Sequence, residues 1–77
     1  MTRILVKTDA VTVDGQTYPV GYFALSTLRG LRRYSAEISL GPGDRVILDG
    51  DSMINLEVRT SRMLWATVHS RALAGTL

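Results

Sequence analysis

The chain has 77 residues, 45% of them hydrophobic and 21% charged, with nine Lys and Arg against seven Asp and Glu for a net charge of +2. That composition is globular rather than disordered, and the length allows one domain at most, 1–77. With no cysteine and a single histidine, His69, the chain excludes disulfides, thiolate zinc sites, Cys nucleophiles and multi-histidine metal centres.

A core of this size secures only about 3 to 5 kcal/mol, so self-association or a larger partner is the expected source of further stability. The first residues, Met1-Thr2-Arg3-Ile4-Leu5-Val6-Lys7, hold an apolar run of only three. It is too short for a signal-peptide core or a membrane span, so a cytoplasmic location without a membrane partner is expected. Val11-Thr12-Val13, Asp14-Gly15 and Gln16-Thr17-Tyr18 form the strongest local signal. Asp-Gly between β-prone arms suits a type I′ turn, whose two central residues need positive φ. The predicted register sets Val13 opposite Gln16, Thr12 opposite Thr17 and Val11 opposite Tyr18. Pro19 has no N–H for a ladder, which predicts an edge strand or a bend there.

Over residues 24–34, Ala24, Leu28 and Leu31 fall on one side at 100° per residue and Arg29, Arg32 and Arg33 on another, with Ser26 as an N-cap. This predicts a short helix, weakened by Gly30, with an irregular loop as the alternative. Ala36, Ile38 and Leu40 then alternate with Glu37 and Ser39 as a half-buried strand, closed by a Gly41-Pro42-Gly43-Asp44 turn. Val46 and Leu48 resume the alternation, and Asp49-Gly50-Asp51-Ser52 turns the chain again. Ile54, Leu56 and Val58 read as a further strand, and residues 63–69 as a last one, with a tail from 71 to 77 expected to fray. The sum is an all-β fold, or a β-rich one with one short helix: a small barrel or sandwich of about six short antiparallel strands.

Charge falls in blocks. Arg29, Arg32 and Arg33 are followed by an acidic stretch with Glu37, Asp44, Asp49, Asp51 and Glu57 against Arg45 alone, and then by Arg59, Arg62 and Arg71 with no acid. Blocks of opposite sign can steer one copy onto another or dock a partner of complementary pattern, unless neighbouring strands interleave them into a neutral face. Arg29, Arg32, Arg33 and Tyr34 could grip phosphates and stack a base, with Arg59 and Arg62 extending the site; a solvated basic face is the plainer reading. Asp44, Asp49 and Asp51 are turn residues without the spacing of a calcium loop. No phosphate loop or catalytic triad is apparent, so no metal, no cofactor and no enzyme activity are expected.

Arg29 and Arg33, at Arg-x-x-x-Arg spacing, with Glu37-Ile38-Ser39 before Gly41 and Gly43, slightly resemble the signature of the PilZ family of cyclic-dinucleotide receptors. The resemblance implies a small β-barrel that binds a cyclic dinucleotide. The chain departs from the signature at Glu37, where the family has Asp or Asn, and at Pro42, which occupies the final glycine position. The two motifs are also nearly contiguous here, where the family separates them by a strand or more.

On the final strand, if Leu64, Ala66 and Val68 face the core, Met63 and Trp65 face outward as a contact pair; the reverse register buries Trp65. The leading expectation is a small β interaction module, a subunit of a larger assembly such as a virion or secretion apparatus, meeting itself or a larger protein through Met63 and Trp65. The competing expectation is a nucleic-acid or nucleotide-phosphate binder using Arg29, Arg32, Arg33, Tyr34, Arg59 and Arg62.

Overall fold

The computed structural model describes residues 2–75. Asp14 (φ 51°) and Gly15 (φ 80°) both adopt the left-handed backbone, so a two-residue turn joins β1 (Thr2–Val13) to β2 (Gln16–Ser26) in the predicted register. Between Leu5 and Lys7 the register shifts by the extra residue Val6, a bulge in the longest strand of the sheet. Pro19 lies opposite Ala10 on β2, which is an inner strand, not an edge. It is tolerated there because the ladder from β2 to β3 begins only at Val20↔Ile38, so no β3 partner awaits the missing N–H.

Residues 24–34 form no helix: they finish β2, make a hairpin loop and open β3 (Arg32–Gly41). Gly30, at φ 77°, takes a left-handed place in the five-residue loop 27–31, with its N–H donating to Thr27 C=O at 3.0 Å. The i, i+4, i+7 spacing of Ala24, Leu28 and Leu31 spans the end of β2 and the loop that follows it. At the next turn Gly43 stands at φ 70° after Pro42 and leads into β4 (Asp44–Gly50).

Four strands, not about six, form one open antiparallel sheet in the order β1-β2-β3-β4, and no barrel closes. The two strands expected after residue 53 are instead the 21-residue helix α1 (Met53–Leu73), which takes in the first part of the tail expected to fray; Thr76 and Leu77 lie outside the described residues. Ser52 caps α1, its hydroxyl accepting from Asn55 N–H, and neither Gly nor Pro interrupts the next 21 residues. Its buried residues Leu56, Thr60, Leu64 and Val68 recur every four positions and rest against the sheet. Beneath them Val13, Tyr18, Val20, Tyr22, Ala36 and Ile38 complete a core between one helix and one sheet face. The alternating apolar residues at 54, 56 and 58 imitated a strand because α1 is apolar on two sides, and Thr60 interrupted the buried line.

The Thr60 hydroxyl is fully buried and lacks a well-formed hydrogen bond, although it faces the Tyr22 phenol across the seam. Thr60→Val removes the unsatisfied group at nearly constant volume, so it is expected to raise stability by about 1 kcal/mol, read as a higher urea midpoint at unchanged slope.

At the same seam, hydrogen bonding to Glu57 raises the pKa of Lys7, and burial pushes the Tyr22 phenol up. The folded chain therefore holds both protons more tightly than the unfolded chain does. The stability this contributes is fully present below the ordinary values of 10.0 for Tyr and 10.5 for Lys, and is lost as pH rises through the raised ones. Urea midpoints are expected to fall across this alkaline window, and less steeply in Tyr22→Phe.

Candidate interaction surface

In α1 the line Leu56, Thr60, Leu64 and Val68 faces the sheet, so residues about half a turn away face water. Ile54 is 76% exposed, Val58 48% and Trp65 49%, and the three share one outer stripe at 100° per residue. His69 steadies the stripe: its Nε2 lies 2.9 Å from Asp14 Oδ2 on the first turn, and its ring meets Trp65 edge-on with centroids 4.0 Å apart. Met63, also exposed, does not share Trp65's face. Two positions apart would be one face of a strand but is 200° on a helix. Met63 instead lines a shallow groove with Leu48, Arg59, Arg62 and Ala66, while Trp65 lies beside Ser61, Arg62 and Ala66. Arg62 and Ala66 bridge the two, so the outer stripe and the groove toward β4 form one continuous flank.

The six residues proposed to hold phosphate do not form one site: Arg29, Arg32 and Arg33 lie at the end of the β2–β3 hairpin, and Arg59 and Arg62 lie on α1. Arg29 sits in the β2–β3 loop, and Arg32 and Arg33 point to opposite faces of β3. Tyr34 is half-buried against the core. Arg59 and Arg62 are on α1, where Arg59 Nη1 donates to Asp49 C=O at 2.9 Å.

The sheet face away from α1 is uncovered. There Glu37 accepts from Arg3 and, at 2.7 Å, from Arg45, and the Arg3 guanidinium stacks over Phe23 at 3.7 Å from the ring centroid. Lys7 pairs with Glu57 and Arg71 with Asp44, so the central acidic block is largely neutralised by partners from other elements. Among the described residues, no group of three or more His, Asp or Glu is placed to hold a metal ion, and no helix is long and apolar enough to cross a membrane.

Sequence reasoning missed Ile54 and Val58 as surface residues. Their spacing from Trp65, i, i+4 and i+11, is the signal that a helical reading exposes. No known protein family, no curated protein and no solved structure matches the chain. The open sheet also lacks the barrel that the PilZ resemblance implies.

Proposed function

We infer that the chain is a non-enzymatic protein-interaction module, a subunit of a larger assembly, whose contact face is the outer flank of α1. The observation that carries this reading is the second apolar side of the helix: Ile54, Val58 and Trp65 in water, with Ala66 beside Trp65 and joining it to the separate groove that Met63 lines. A surface helix ordinarily keeps one apolar stripe for its own core, and a second stripe that carries a Trp has the composition of a contact hot spot. A second copy of the chain is the first occupant to test.

Mass in solution over a concentration series, together with a salt titration of nucleic-acid binding, tests the reading. An oligomer without phosphate affinity supports it. A stable monomer whose affinity for nucleic acid falls steeply with salt overturns it in favour of the arginine-based binder.

A further inference from the structure

The β2–β3 loop combines two properties that a water-facing hairpin rarely joins. Leu28 is 99% exposed and Leu31 is exposed too, yet the loop that carries them is tightly fixed. Thr27 N–H donates to Leu31 C=O at 3.0 Å, and Leu31 N–H donates to Thr27 Oγ1 at 3.1 Å. The two side chains are therefore held outward by a closed backbone. Around them Arg29, Arg32 and Arg33 are exposed and form no ion pair among the described residues, and the chain contains no acid from residue 15 to residue 36. The β3–β4 ladder ends at Tyr34↔Gly50, while the β2–β3 ladder runs on to Ser26↔Arg32. The hairpin thus outruns β4 at one end of a molecule 44 Å long and about 20 Å across.

We propose that this tip docks on an anionic bilayer surface, with Leu28 and Leu31 entering the boundary between headgroups and acyl chains while Arg29, Arg32 and Arg33 engage lipid phosphates. Apolar side chains flanked by unpaired cations are complementary to an anionic interface, which supplies an apolar layer beneath a negative one. A nucleic acid would use the arginines but leave both leucines in water, and the Tyr34 ring that a base would stack on packs against the core. A stable protein contact buries roughly 800 Å² on each partner, which asks for a wider surface than one five-residue loop, whereas a fluid bilayer can close around a protruding tip. No spanning segment is required, so the short apolar run that argued against a membrane partner has no bearing on surface docking. The inference is independent of assembly through α1, since the tip uses none of that flank's residues.

Co-sedimentation of the full chain with vesicles of phosphatidylcholine alone, or with a third of the lipid replaced by phosphatidylglycerol, tests the proposal. Binding is expected to the anionic vesicles only, and to weaken with salt. Leu28→Asp with Leu31→Asp is expected to reduce it at least tenfold, because the leucines' burial is lost. Replacing the three arginines by Gln is expected to reduce it on the order of a hundredfold, at about fivefold each. Both variants change exposed residues of the loop and of the first two positions of β3, and far-UV circular dichroism checks that they remain folded. No binding to anionic vesicles overturns the proposal, as does binding that ignores the leucine substitutions. Oligonucleotide binding that needs the arginines but not the leucines, without vesicle binding, would assign the tip to nucleic acid instead.

Discussion

Leu64→Ala is expected to lower unfolding free energy by about 3 kcal/mol, within the range of roughly 2 to 5 found for emptied buried leucine sites. Leu64 has no exposed surface and lies in the middle of the line by which α1 seats on the sheet. The cavity cannot fill by collapse, because the backbone beneath it is held by strand ladders on both sides of β2 and β3. A core of this size supplies about 3 to 5 kcal/mol, and the chain has no disulfide to add to it, so the variant is expected to be largely unfolded at room temperature. Leu73→Ala, at a 91% exposed site near the end of the same helix, is expected to change stability by less than about 0.5 kcal/mol. Urea melts followed by far-UV circular dichroism compare the two; similar midpoints would mean that α1 is not seated through Leu64.

Trp65→Ala is expected to weaken self-association by at least about 2 kcal/mol, some thirtyfold in dissociation constant, while Arg33→Ala leaves it within about twofold. The indole is half exposed on the outer stripe and is positioned by edge contact with His69, so it offers a rigid apolar surface at little entropic cost. Because Trp65 lies outside the core, the monomer is expected to keep its fold, which separates lost association from lost structure. Sedimentation equilibrium over a concentration series measures both variants. If Arg33→Ala proves the more damaging, the contact lies at the arginine end of the sheet and not on the helix.

Local signals carried the sheet half of the fold. Asp14-Gly15 and Pro42-Gly43 are turns whose backbone needs those residues, and the alternation of Ala36, Ile38 and Leu40 marks a strand with one buried side. The helix was hidden because its two apolar sides produce alternation at Ile54, Leu56 and Val58, and because Thr60 fills a core position that a pattern search expects to be apolar. Residues 24–34 misled in the opposite direction. Their helical spacing is real, but Gly30 closes a hairpin in which residues 24–26 pair with 32–34, and that pairing favours the extended backbone over a weak helix. The exposure of Trp65 was one of two readable outcomes; its separation from Met63 followed only once the backbone was known to be helical. The outward leucines of the β2–β3 loop are hidden in the sequence because their spacing from Ala24 also fits the apolar face of a helix.

The strands pair strictly with their sequence neighbours, and the helix that covers them comes last. Each hairpin can form as soon as its two arms exist, without waiting for distant chain, which is the arrangement that folds fast. The cost falls in the interval between the sheet and the helix. Until α1 has left the ribosome, Val13, Tyr18, Val20, Tyr22, Ala36 and Ile38 form a finished but uncovered apolar sheet face, so a stalled nascent chain would be the most aggregation-prone form of the protein. Docking of the 21-residue helix α1, rather than formation of the sheet, is therefore the step that removes this exposed face.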